Sequence, residues 1–252
     1  QIQAGALDMA KVSASTLGNF SEKYNAFSVP YVFNDQAHYY SYMDSDSAKA
    51  VFESTDDQGF RGLTWLDSGT RSFYTVKTPV MTPADLKGLK IRTMDSPMAI
   101  EMMNCFGGSA TAMPISDVYT AMQSGVIDGA ENNETALTVG GHGEVAKCYS
   151  YDEHTRIPDI VLISTKVWNQ FSVEQQEIVQ AAADAAKETY KADWQAAIEQ
   201  AVKDAETNMG VTFYHPDSLA PFQEAVQPIY DRLAKEEPEV WALCEKIQAF
   251  QA

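Results

Sequence analysis

The sequence predicts an α/β protein of strand–helix units built around a parallel sheet, divided over two bodies that one long helix joins. Three observations carry this prediction. Short strand signals alternate with helix signals through the first half of the chain. Helix starts are marked by Ser-Pro and Thr-Pro pairs, and helix ends by glycine. Ser172, with Gln175 completing an S-x-x-Q capping box, opens a 37-residue helix that stops only at Gly210. At ~1.5 Å per residue that helix is roughly 55 Å long. It exceeds the diameter of a small domain, so it lies across two domains or forms a coiled coil. The dominant step of four residues along Ile178, Ala182, Ala186, Tyr190, Trp194, Ile198, Val202, Ala205 and Met209 favours the two-domain reading.

The elements follow in order. Gln1 to Gly5 reads as the last turn of a helix closed by glycine, or as a frayed terminus, and Ala6–Ser13 as a strand. A helix over about Asp35–Ser54 starts from Asn34 or Asp35. Phe60–Leu66 and Ser72–Lys77 read as strands. Thr82-Pro83-Ala84-Asp85 opens one short helical turn that Gly88 stops, and Leu89–Arg92 follows as a strand. Ser96-Pro97 opens a helix through Phe106. Thr111–Met113 is a short strand, Ser116 caps a helix over Asp117–Ser124, and Val126–Ala130 is extended. Asp159–Ser164 is an apolar strand, and helices near Pro221–Ala234 and Glu237–Ala249 finish the chain. Ligands of such sheets sit at the carboxyl ends of strands. That places Arg92 to Asp95, Met113 to Ser116 and Glu131 to Glu134 at the expected site.

Composition excludes several functions. The 252 residues are enough for one large domain or two ordinary ones, and 45% are apolar. No run approaches 18 consecutive apolar residues, which excludes a transmembrane helix. With 18 Lys and Arg against 35 Asp and Glu, the net charge is −17. So acidic a chain is no nucleic-acid binder, because such binding rests on basic surfaces. A small anionic ligand stays possible, since it feels only the local charge of a cleft. Cys105, Cys148 and Cys244 are too few for a disulfide scaffold, and their odd number leaves one free or paired between chains. Such usage suits the cytosol or a large secreted protein equally.

No G-x-S-x-G, Walker, C-x-x-C or H-E-x-x-H motif is present. Gly140-Gly141-His142-Gly143 does not match a phosphate loop. His142 with Asp152, Glu153 and His154 has no compact metal-ligand spacing. Cys105 lacks an evident base and reads as a core residue. No cofactor or metal is expected. The scarce arginines are more informative. Arg71 follows a turn at Asp67-Ser68-Gly69-Thr70, and Arg92 ends a strand at the expected crevice. A guanidinium there offers a planar fork for a carboxylate, and a structural salt bridge is the alternative for either. Asn132-Asn133 is a polar turn or a pair of amide ligand contacts.

At this point the residues resemble a known family. Leu86-Lys87-Gly88-Leu89-Lys90-Ile91-Arg92, Met113-Pro114, and the run from Asp117 through Gly125-Val126-Ile127-Asp128-Gly129-Ala130-Glu131-Asn132 are similar to solute-binding proteins of tripartite ATP-independent periplasmic (TRAP) transporters. Gly5-Ala6-Leu7-Asp8-Met9, Val29-Pro30-Tyr31-Val32-Phe33 and the long helix extend the resemblance over essentially the whole chain. It implies two α/β lobes with a cleft that closes on an organic acid, no enzymatic activity, and TRAP membrane subunits as partners. The family's carboxylate-binding arginine falls on Arg92, its E-N asparagine on Asn132, and a second ligand-facing arginine of some members on Arg71. Ser13, Ser15, Thr16, Asp95, Ile115 and His154 match further pocket positions, although Ile115 stands where an aromatic is common.

Ser68–Thr75, Glu131-Asn132-Asn133 and Tyr151–Arg156 resemble the members that bind sugar acids, hexuronates above all. Members for C4-dicarboxylates usually carry proline where this chain has Asn133. The resemblance therefore implies a periplasmic hexuronate-binding protein, monomeric when complete. A C4-dicarboxylate or keto-acid binder is the alternative, and a sugar-acid hydrolase or lyase the more distant one. It also implies one lobe of about 1–69 plus 158–197 and another of about 70–157 plus 198–252. The family's opening strand–helix–strand segment has no counterpart here. A buried parallel strand over Leu7–Val12 is then expected to show an open apolar edge, leaving the 252-residue chain poorly soluble or unable to bind unless something covers it.

Overall fold

The computed structural model describes residues 1–251. Nine strands form two sheets. β1 (Met9–Ser13), β2 (Phe60–Leu66) and β8 (Asp159–Ser164) make the first, in the order β1-β8-β2. β3 (Arg71–Thr75), β4 (Lys90–Thr93), β5 (Ser109–Ala112), β6 (Gly129–Asn132), β7 (Cys148–Thr155) and β9 (Thr212–Tyr214) make the second, in the order β5-β4-β6-β3-β7-β9.

The parallel-sheet expectation holds only in part. β4 runs parallel to β5 and β6, and β7 to β9, whereas β3 is antiparallel to both its neighbours. The first sheet is wholly antiparallel. The reason is connectivity. The chain leaves the first sheet after Leu66, builds most of the second, and returns at Asp159 opposite Leu66, so β8 runs against both β1 and β2, which the helices between them leave parallel to each other. Leu66 pairs with Asp159, and Arg71 with Thr155. Two short crossovers thus run side by side between the sheets. β1 is accordingly not the buried parallel strand expected. It is an antiparallel edge strand, and Leu7 and Met9 are 44% and 46% exposed.

Caps explain most element boundaries. Asp35 accepts the His38 N–H at 2.8 Å and starts a helix that ends at Met43. The single helix expected here is two, because Ser45 caps Asp46–Phe52 anew. Asp44 between them is occupied elsewhere, accepting from Trp65 Nε1 at 2.9 Å and Lys191 Nζ at 2.7 Å. The helix expected over Asp117–Ser124 with Ser116 as its cap starts two residues earlier, at Ile115 after Pro114. The Ser116 hydroxyl bonds Asp117 instead of a helix N–H. The strand expected at Val126–Ala130 lies at Gly129–Asn132, so Glu131 and Asn132 are strand residues. The hydrogen bonds Ala6 N–H to Gln1 O and Gly5 N–H to Ile2 O close the N-terminal turn in the glycine-ended helix pattern.

The long helix, Val173–Met209, has the expected capping box and ends with Gly210 in the left-handed region (φ +66°). It packs on β2 of the first sheet and on the helical turn after β6 of the second, so it spans both. Its packed face is as expected from Tyr190 onward but not before. Ile178 is 62% exposed, while Val179 and Ala183 cover Leu63, Ile163 and Trp168. Polar contacts fix this half: Gln180 Nε2 donates to Leu63 O at 2.8 Å, and Lys187 and Lys191 pair with Asp44. Step counting of apolar residues misses a face built on amides and ammoniums. The final helix, Pro238–Gln248, packs near Tyr24–Phe27, and His38 bonds Ile247 O. Arg232, on the preceding helix, pairs with Glu101 of the second-sheet side. The C-terminal helices therefore touch both bodies.

Candidate ligand-binding cleft

A cavity of about 650 Å³ lies between the two sheets, a size common for small-molecule sites. Its second-sheet wall is formed where β4, β5 and β6 end, the place expected for a ligand in such a sheet. Arg92 sits in this wall and is only 4% exposed. Its Nε donates to Met113 O at 2.9 Å. Among the described residues no other acceptor reaches its guanidinium, so most of its five N–H groups are unengaged. Burial pulls its pKa down, with the Arg71 charge acting the same way and Glu131 opposing.

Arg71 is treated differently. Its Nε and Nη2 bind the Glu131 carboxylate at 2.5 and 2.9 Å, Nη2 also meets Glu131 O at 2.7 Å, and Nη1 meets Asn132 Oδ1 at 2.8 Å. Burial would lower its pKa, but the Glu131 carboxylate raises it. Glu131 also faces His154 Nε2 at 3.4 Å, and His154 Nδ1 bonds Asp152 Oδ2 at 2.7 Å. His154 is fully buried. Burial disfavours its proton, yet Asp152 and Glu131 together hold its pKa up, near 9. Burial also works against the Glu131 charge, but Arg71 and His154 bring its pKa down to about 2. Arg71 and His154 thus have their carboxylates in Glu131 and Asp152, while Arg92 has none. A buried, unpaired guanidinium is costly unless an anion completes it.

The structure brings Arg92, Arg71, Asn132, Asn133, Ser13, Thr16, Asp95 and Ile115 to the cavity. It does not bring Ser15, Glu131 or His154 there. Ser15 and Glu131 line a separate void of about 10 Å³, and His154 a hollow of about 180 Å³ beside Tyr31 and Arg156. Asn132 keeps its amide NH2 free, since only its Oδ1 is engaged. Asn133 is spent on structure, donating to Ser68 O at 2.8 Å and accepting from Thr135. It ties the first crossover to the end of β6. Beside it Gly69 has φ +66°, and a Cβ there would lie 3.5 Å from Trp194 Nε1.

Sequence reading missed Lys11, Asp159, Tyr190 and Trp194, which also line the cavity. Signals for three of them existed. Lys11 shares a strand face with Ser13, and Tyr190 and Trp194 sit four apart on the inward helix face. The other candidates are accounted for elsewhere. His142 bonds Tyr74 OH at 2.8 Å, and burial, then the Arg92 charge, lower its pKa to about 4. All three cysteines are free, and Cys105 is half-buried with its pKa raised by burial. Among the described residues no cluster could hold a metal ion, and no helix is long and apolar enough to cross a membrane.

Comparison with known proteins agrees with this geometry. The family described as bacterial extracellular solute-binding protein, family 7, matches residues 1–237. The uncharacterised protein YiiZ of Salmonella typhimurium is 47% identical over 98% of this chain and 75% of its own length. A TRAP periplasmic solute-binding protein from Anaerococcus prevotii, solved with bound α/β-D-glucuronate, superposes with a TM-score of 0.93 at 40% identity, over 100% of this chain and 82% of that one. A Bradyrhizobium relative in complex with α/β-D-galacturonate gives 0.95 at 35% identity, over 99% and 83%. The chain belongs to family 7 of the bacterial extracellular solute-binding proteins, the non-enzymatic binding components of TRAP transporters, and has their two-lobed α/β fold.

Proposed function

We propose that the protein captures a hexuronate, such as glucuronate or galacturonate, outside the cytoplasm and hands it to the membrane subunits of a TRAP transporter. The observation that carries this reading is Arg92, a buried guanidinium with its fork unengaged on the wall of the cavity between the sheets. The unengaged fork suits a carboxylate, which it can bind with two parallel hydrogen bonds. The Asn132 amide, Ser13 and Thr16 serve the ligand's hydroxyls. Arg71 lines the same cavity with its remaining N–H, while Glu131, His154 and Asn133 hold it and the wall in place. The bound uronates of the solved relatives support the same ligand class.

In this proposal residues 1–69 with 158–197 form one lobe and 70–157 with 198–252 the other, and the crossovers at Gly69 and Pro158 are the hinge. The division follows the membership of the two sheets. Lobe closure expels water and strengthens every charge-assisted bond inside. A thermal-shift panel of uronates, aldonates, C4-dicarboxylates and keto acids tests the ligand class. A uronate at 100 times its dissociation constant is expected to add about 2.7 kcal/mol of stability. NMR of the mixture is expected to show the sugar unchanged. Stabilisation by C4-dicarboxylates or keto acids alone would move the protein to that branch, and conversion of the sugar would make it an enzyme.

A further inference from the structure

We propose that Asp159, held in place by Lys11, reads the C2 hydroxyl, at the end of the bound sugar-acid ring opposite its carboxylate. This deepens the hexuronate reading and rests on it.

Asp159 opens β8 beside Ser13 of β1, on the first-sheet wall of the cavity. Its side chain is 14% exposed, and among the described residues its only hydrogen-bond partner is the Lys11 ammonium. A carboxylate accepts about four hydrogen bonds. One oxygen of Asp159 is thus tied to Lys11, and the other has no protein donor. Next to it Tyr190 and Trp194 stack at 5.6 Å with 15° between their rings. Neither the Tyr190 hydroxyl nor the Trp194 indole N–H has a partner among the described residues. An acceptor-only carboxylate beside an aromatic surface complements a pyranose, which offers hydroxyl donors at its edge and C–H groups on its face.

Orientation then decides which hydroxyl is read. Arg92 lies on the second-sheet wall and Asp159 on the first. The C6 carboxylate is borne by C5, and the pyranose ring atom opposite C5 is C2; with the carboxylate on Arg92, C2 and its hydroxyl meet Asp159. The neighbouring Lys11, itself half exposed, fixes the carboxylate's rotamer.

The test is a thermodynamic cycle by titration calorimetry. Wild type and Asp159→Ala are each titrated with D-glucuronate and with its 2-deoxy analogue, which lacks only the C2 hydroxyl. Loss of that hydroxyl is expected to weaken binding to wild type by about 10- to 150-fold. In Asp159→Ala the two ligands are expected to bind within about twofold of each other. Asp159→Asn, which keeps the side chain's shape, is expected to fall between. Equal sensitivity to the hydroxyl in wild type and Asp159→Ala would overturn the proposal while leaving the hexuronate reading intact. So would tight binding of the analogue by wild type. Failure of wild type to bind any uronate would instead overturn that reading, and this proposal with it.

Discussion

Replacing Arg92 by alanine is expected to weaken sugar-acid binding by about 2–5 kcal/mol, or roughly 30- to 4000-fold. The expectation follows from what each state lacks. In the free protein the Arg92 guanidinium is buried, with only Nε engaged, on Met113 O. A ligand carboxylate completes it. Without the arginine that carboxylate is stripped of water and left opposite a neutralised cluster, since Glu131 already satisfies Arg71. Lysine at position 92 is expected to restore only part of the affinity, because an ammonium lacks the fork. The unliganded variant should be at least as stable as wild type, since a surplus buried charge is removed. Calorimetric titration with D-glucuronate and unfolding of the unliganded protein measure both. Wild-type affinity in Arg92→Ala would take Arg92 out of the site.

Glu131→Ala has the opposite signature, a loss of about 3–5 kcal/mol of folding stability. Glu131 is buried and takes three hydrogen bonds from the Arg71 guanidinium, one of them to its backbone carbonyl, while facing His154. Truncation leaves two buried cations short of their anion. The same network fixes the pH profile of wild type. The Glu131 pKa is depressed to about 2, so its contribution is present above its unfolded value of about 4.3 and is lost as pH falls toward 2. The His154 pKa is raised to about 9, so its contribution is full below its unfolded value of about 6.5 and is lost as pH rises through 9. Urea unfolding across this range is expected to give wild type a plateau between about pH 4.3 and 6.5, and Glu131→Ala a lower curve with a weaker acid limb. Equal stabilities at neutral pH would show that Arg71 and His154 find other partners.

How much of this was legible depended on the kind of force at each point. Local signals worked where one residue decides. The capping box at Ser172, the stop at Gly210 and the bounds of β2 and β8 were readable because caps and apolar runs are short-range. The location of Arg92 on the cleft wall was readable from its place at a strand end. The break at Asp44 was not, because it depends on Trp65 and two lysines about 143 and 147 residues further along the chain. Strand direction in the first sheet was not readable either, since it is set by where the chain returns from the second. Glu131 and His154 were matched to ligand positions through the family resemblance, in the E-N motif and among its pocket positions. Only three dimensions show that they face Arg71 and Asp152 instead. Lys11 and Asp159 carry no motif, and they meet only because β1 and β8 pair.

A crystal structure of the protein with D-glucuronate shows directly whether Arg92 is the carboxylate site of a sugar-acid cleft. Both carboxylate oxygens are expected within about 2.7–2.9 Å of the Arg92 Nη atoms. The Arg71–Glu131 pair is expected to stay in place, and the sugar ring to lie toward the Asp159 wall. A glucuronate carboxylate bound elsewhere, with the Arg92 fork left in water, would contradict that assignment.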